Sequence, residues 1–150
     1  MRFRSRASRL VRDRVVDLSK ISVLLADDHA EVLDTVTRLL APEFNVVGSV
    51  SDGKALLSSA ERLAPDVVVV DISMPILNGI DAVRRLRESG SSAQVVFLTV
   101  HESSEYVAAA LATGALGYVV KPLLATDLSV AIKEVHAGRS YHSPSIAPVH

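Results

Sequence analysis

Apolar runs recur along residues 21–137, each closed by a polar or turn-forming break. Residues 21–26 form the first, ended by Asp27-Asp28-His29. Behind it, Val32, Leu33, Val36, Leu39 and Leu40 fall at the spacings of one helical face, which predicts a helix over 30–40 that stops at Ala41-Pro42. Residues 44–50 read as a second strand. Ser51-Asp52-Gly53 then leads into a helix carried by Leu56, Leu57, Ala60 and Leu63. The third apolar run, Val67-Val68-Val69-Val70, consists of β-branched residues only and ends in Asp71; it reads as a strand buried on both faces. Ile80, Val83 and Leu86 mark a third helix, and residues 94–99 a fourth strand. A fourth, alanine-rich helix is expected over 103–113, a short fifth strand over 116–120, and a last helix on Leu128, Ala131, Ile132 and Val135, ended by Gly138.

Five strands alternating with five helices predict an α/β fold with a parallel sheet and helices on both faces, because each parallel return needs a right-handed crossover. Ligands in such a sheet sit beyond the carboxyl ends of the strands. The residues at those ends are Asp27 and Asp28, Asp71, Thr99 and Lys121; Ser51 and Asp52, after the second strand, are expected to lie outside the site. Taken alone, Asp71 either meets a cation at the sheet edge or is a solvated loop aspartate, since a carboxylate is costly to bury unpaired.

Composition narrows the chemistry. The 49% hydrophobic content supports a real core, and the 4% aromatic content means aliphatic residues fill it. The absence of cysteine excludes a disulfide scaffold, a cysteine-held zinc and a thiol nucleophile, and fits a cytoplasmic setting. No apolar run approaches the roughly 20 residues of a membrane span. The net charge of −1 conceals an asymmetry. Residues 1–20 carry seven basic groups against Asp13 and Asp17, a net of +5, and the remainder carries a net of −6. The acidic body argues against generic nucleic-acid binding by the folded part. Residues 1–19 are expected to be a disordered basic extension or a short helix with Val11, Val15 and Leu18 on one face. No apolar stretch of a secretory signal follows them. Residues 138–150 read as a tail or linker.

Three carboxylates at one edge repel each other unless a cation neutralises them, and an all-oxygen, water-rich site suits Mg²⁺ better than Ca²⁺. Asp71 would then be an ionised nucleophile. Mg²⁺, the Lys121 ammonium and the Thr99 hydroxyl could each take one oxygen of a transferring phosphoryl group.

Asp27-Asp28, Asp71-Ile72-Ser73-Met74-Pro75 with Asn78-Gly79, Thr99, and Tyr118-Val119-Val120-Lys121-Pro122 resemble the receiver domain of bacterial two-component response regulators, over about residues 20–137. The resemblance implies a flavodoxin-like, doubly wound five-stranded sheet of order 2-1-3-4-5 with five helices. It implies a signalling domain rather than an enzyme in the ordinary sense, with Asp71 accepting phosphate from a sensor histidine kinase. Asp28 and Asp71 would bind Mg²⁺ directly, Asp27 largely through water, and the Ser73 backbone carbonyl would complete the protein ligands. Thr99 and Tyr118 look like the family's switch pair. Phosphate adds roughly −1.5 to −2 charge at Asp71. Thr99 would be drawn toward it, Tyr118 would turn inward, and the face of the fourth helix, fifth strand and fifth helix would change.

Val100 and His101 follow Thr99 near the path of a hydrolytic water. Bulky Val100 is expected to slow dephosphorylation; His101 is either a proton carrier or an ordinary exposed loop histidine. The helix over 30–40 resembles the family's kinase-facing surface, with Thr35 and Arg38 as contacts. Residues 138–144 are similar to the segment joining receivers to LuxR-type helix-turn-helix output domains. Two outputs stay open here: transcription, through a DNA-binding domain outside this chain, or a single-domain protein–protein relay. A homodimer on phosphorylation fits both. A haloacid-dehalogenase-like phosphohydrolase would need a second acid two residues after the nucleophile, where Ser73 stands.

Overall fold

The computed structural model describes residues 8–11, 14–17 and 19–146. The expectations for residues 1–7, 12–13, 18 and 147–150 lie outside the described residues. Within the basic extension, β1 (Ser8–Val11) and β2 (Arg14–Asp17) pair antiparallel, with Leu10 opposite Val15. The ribbon stands where a disordered extension or a short helix was expected. Three apolar residues at spacings of three and four cannot select a helix when β-branched valines also suit a ribbon.

The body alternates strand and helix: β3 (Ser22–Ala26), α1 (Ala30–Leu40), β4 (Asn45–Val50), α2 (Gly53–Leu63), β5 (Val67–Val70), α3 (Gly79–Glu88), β6 (Gln94–Thr99), α4 (Ser104–Leu111), β7 (Gly117–Val120), α5 (Leu124–His136) and β8 (Tyr141–His142). All pairings in the main sheet are parallel, in the order β4-β3-β5-β6-β7-β8. The first five strands keep the expected 2-1-3-4-5 order. The sixth is a correction: Tyr141 and His142 leave the tail and pair with Gly117 and Tyr118. Gly138, at φ +85°, makes the left-handed turn that frees the chain from α5 and aims it back along β7. The fourth helix is also shorter than expected, at eight residues.

The valine run explains the layering. Val68 and Val70 face one buried cluster, with Leu56, Ile80, Val83 and Val107 from α2, α3 and α4. Val67 and Val69 face the other, with Val36 and Leu40 from α1 and Leu128, Ile132 and Val135 from α5. Each valine is at most 3% exposed, and burying each contributes roughly 1.5–3 kcal/mol before entropy is subtracted.

Register then delivers the strand ends to one place. Ala26 stands opposite Val70, and Val70 opposite Phe97. The Asp71 amide donates to the Ala26 carbonyl at 2.9 Å and the Asp27 amide to Val50 at 3.0 Å, so the ladder ends on adjacent acids. Thr99 pairs with Val120, which puts Lys121 one residue past the same edge. Asn78 caps α3 by accepting from the Asp81 amide at 2.9 Å, and its side-chain amide reaches back to Asp81 at 3.0 Å. Gly79 has no room for a Cβ: one would fall against the Asp71 carbonyl oxygen. This close approach presses the start of α3 onto the Asp71 loop, and any side chain at 79 would push that loop away.

Candidate functional site

Asp27 and Asp71 are 4% and 3% exposed, at the carboxyl ends of β3 and β5. The Lys121 ammonium enters between them from the end of β7, 2.7 Å from Asp27 Oδ2 and 3.1 Å from Asp71 Oδ2. Burial lowers the Lys121 pKa, but the two carboxylates outweigh that and hold it above the ordinary lysine value. Lys121 is therefore a fixed cation. Asp28, next in the chain, is more exposed. His29 folds back on both acids of the first loop: its Nδ1 lies 3.0 Å from Asp27 Oδ1 and 3.2 Å from Asp28 Oδ1, and its amide donates to Asp27 Oδ1 at 2.9 Å. The hydrogen bond to Asp27, then the Asp28 charge, raises the His29 pKa.

One ligand atom from each of Asp27, Asp28, His29 and Asp71 lies within 4.8 Å of the others. Among the described residues, Asp27 Oδ2 is a buried oxygen with no aligned hydrogen bond; Lys121 supplies charge beside it but not direction. Three hard carboxylates, one of them with an under-satisfied oxygen, fit a divalent ion such as Mg²⁺.

Thr99 is fully buried, and its Oγ1 accepts from the His101 amide at 3.3 Å. Among the described residues no acceptor takes its hydroxyl hydrogen. Tyr118 is also fully buried, and its hydroxyl donates to the His101 carbonyl at 2.7 Å. Tyr118 thus sits inward, with a polar partner inside the chain. Burial first, then the Asp71 charge, pushes its pKa up to about 12, so it remains a neutral donor.

His101 joins Thr99, Tyr118, Ser73 and Tyr106. Its Nε2 meets the Ser73 hydroxyl at 2.8 Å, and its ring stacks on Tyr106 at a 4.0 Å centroid distance. The loops after β5 and β6 are thereby joined beside the acids. Val100 is 62% exposed. Asp52 is used elsewhere, capping α2 through the Ala55 amide at 2.8 Å. An open cleft of about 620 Å³, lined by Asp28, Ser73, Asn78, Arg84 and Tyr106 among others, leads to the acids from the α3–α4 side.

The structure brings Asp27, Asp28, Asp71 and Lys121 together as the strand ends foretold, with Thr99 at the end of the neighbouring strand. Sequence reasoning missed His29, although its place directly after two acids was a usable signal. It also missed the Ser73–His101 contact, for which residues 28 positions apart gave none.

Comparison with known proteins fits this arrangement. The response regulator receiver domain family matches residues 23–133. The transcriptional regulatory protein DegU of Brevibacillus brevis is 38% identical over 133 residues, covering 87% of this chain and 56% of DegU. The nitrate/nitrite response regulator NarL of Escherichia coli K12 is 36% identical, covering 85% of this chain and 60% of NarL. The crystal structure of a LuxR-family two-component response regulator from Aurantimonas superimposes with a TM-score of 0.80 at 32% identity, covering 85% of this chain and 92% of that one. The isolated receiver domain of RcsB from Salmonella enterica serovar Typhimurium, solved with the phosphomimetic BeF3−, gives 0.78 at 28% identity, covering 85% and 96%. The chain belongs to the response regulator receiver family, and its relatives include LuxR-type transcriptional regulators. It spans 56–60% of the length of the curated relatives named above. Among the described residues, no helix is long and apolar enough to cross a membrane.

Proposed function

We propose that Asp71 accepts a phosphoryl group from a phosphohistidine of a sensor histidine kinase in the cytoplasm. The observation that carries this reading is the Lys121 ammonium held between the buried carboxylates of Asp27 and Asp71. An Asp71 carboxylate oxygen attacks phosphorus as the donor's N–P bond breaks. The imidazole nitrogen leaves with the bonding pair, and the acyl phosphate remains on Asp71. Lys121 stays paired with an oxygen of the transferred group, and the free Thr99 hydroxyl hydrogen is donated to another. Asp28 and Asp71, with Asp27 through water and the Ser73 carbonyl, would hold Mg²⁺, which would supply charge neutralisation of the phosphoryl oxygens. Val100 shields the phosphoryl group from water, and His101 fixes the loop that carries it.

The added charge at Asp71 draws on Thr99, and Thr99 shares His101 with Tyr118. This pair passes the local event to the face of α4, β7 and α5, through which phosphorylated copies dimerise. The output is transcription, through a DNA-binding region outside this chain; the names of DegU and of the LuxR-family neighbours support it. One neighbour is described as two RcsB dimers bound to DNA.

Incubation with acetyl phosphate and Mg²⁺ tests the reading. It expects one acid-stable, base-labile phosphoryl group per chain, abolished in Asp71→Asn. Labelling that survives Asp71→Asn, or steady turnover of a phosphomonoester, contradicts it.

A further inference from the structure

Strand β7 carries Tyr118 and leads directly to Lys121. Its outer edge would otherwise present unpaired peptide groups, a template for any other strand. In this chain its own segment from Tyr141 to Ile146 takes that place. The Tyr141 amide donates to the Leu116 carbonyl at 3.0 Å, and the Ser143 amide to the Tyr118 carbonyl at 2.9 Å. The Ser143 hydroxyl accepts from the Val120 amide at 3.2 Å and donates to Asp127 Oδ2 at 2.8 Å. Asp127 Oδ1 takes a further bond from the Thr126 hydroxyl at 3.0 Å. Ser143 and Asp127 are 1% and 7% exposed, a buried polar lock between the segment and α5. Ile146, 7% exposed, anchors the far end in the cluster that holds Tyr118, Val107 and Ala110 on the opposite face of the sheet. The segment crosses the sheet edge and is fastened on both sides of it.

Two strand residues, one polar lock and one apolar anchor make a weak element, far short of an independent unit. Its attachment points are nonetheless the residues around the switch. The Tyr118 carbonyl is tied to Ser143, and the Tyr118 hydroxyl to the loop that holds Thr99.

We propose that the segment from Tyr141 to Ile146 is a displaceable sixth strand whose docking on β7 holds Tyr118 inward and is coupled to the phosphoryl state of Asp71. The inference rests on the reading of Asp71 as phosphoacceptor. Coupling between two sites is reciprocal. A docked segment favours the inward Tyr118, and an acyl phosphate that draws Thr99 toward it favours the docked segment. A partner strand that uses the β7 edge must displace this segment first, so access to that edge follows phosphorylation inversely.

The test uses the full chain with BeF3− and Mg²⁺. Fluorine NMR reports bound BeF3−, and amide exchange reports Tyr141, Ser143 and Ile146. Bound BeF3− is expected to slow exchange at Tyr141 and Ser143 by about tenfold, within the ordinary range of coupling. Ser143→Ala and Ile146→Ser are each expected to weaken BeF3− binding by about fivefold; Glu61→Gln, exposed on α2, leaves it unchanged. Should Ile146→Ser not fold, Ser143→Ala alone decides. A bound fluorine signal with exchange at Tyr141 and Ser143 unaltered overturns the coupling and leaves the phosphoacceptor reading standing. Parental BeF3− affinity in the variants overturns it equally. Absence of any bound signal overturns both.

Discussion

The Lys121 ammonium nitrogen lies 3.1 Å from Asp71 Oδ2. The same nitrogen neutralises Asp27 at 2.7 Å, so one cation serves two buried acids. Lys121→Met leaves both acids without it and is expected to destabilise the fold by about 3 kcal/mol, the scale for breaking a buried pair. Asp71→Asn added to Lys121→Met should recover part of that loss by removing one repelling charge. Urea unfolding of the single and double variants measures the coupling. Additive losses would mean that Lys121 and Asp71 do not sense each other.

A divalent ion should relieve the same repulsion. Mg²⁺ binding to the folded state alone, at a hundredfold excess over its dissociation constant, stabilises by about 2.7 kcal/mol. A rise in thermal midpoint with Mg²⁺, reversed by EDTA and mostly lost in Asp28→Asn, is the expected result. Asp28 is exposed, so its replacement leaves the core untouched.

His29 predicts a pH dependence, read in EDTA to keep metal out. Its folded pKa is raised by Asp27 and Asp28. The stabilisation it gives is therefore complete below the ordinary histidine value and is lost as pH rises through the raised folded value. The parent should be more stable than His29→Gln in mild acid, and the two should converge above neutrality. His142 in β8 has the opposite sign, since burial lowers its pKa. Its contribution is present above the ordinary histidine value and fades as pH falls below it. His142→Gln should flatten that acid-side loss.

Much of this site was legible in the sequence because it depends on where apolar runs stop. Parallel strands in register end together, so Asp27, Asp71 and Lys121 converge without any knowledge of side-chain contacts, and Thr99 falls at the end of β6. What the pattern could not carry were elements too short to have a period. Strand β8 is two residues long, and its place is fixed by Gly138 and by the Ser143–Asp127 bond rather than by alternation. The contact between Ser73 and His101 joins two loops, where neither helical nor strand spacing applies.

Backbone strain beside the site yields a further prediction. Ile76, in the loop between Pro75 and Gly79, has φ +71° and is 72% exposed. A β-branched residue in the left-handed region is strained, and this one gains little from burial. Ile76→Gly is expected to stabilise the fold by about 1 kcal/mol, after allowing for the greater freedom of glycine in the unfolded chain. A thermal midpoint at or below that of the parent would show that this loop does not hold the left-handed geometry in solution.

Convergence of the strand-end residues on Asp71 can be seen in a crystal structure of the protein with BeF3− and Mg²⁺. Density continuous with an Asp71 carboxylate oxygen is expected, with Lys121 Nζ and Thr99 Oγ1 within hydrogen-bond distance of fluorine and Mg²⁺ against Asp28. Density on another residue, or Lys121 turned away from an occupied Asp71, would contradict it.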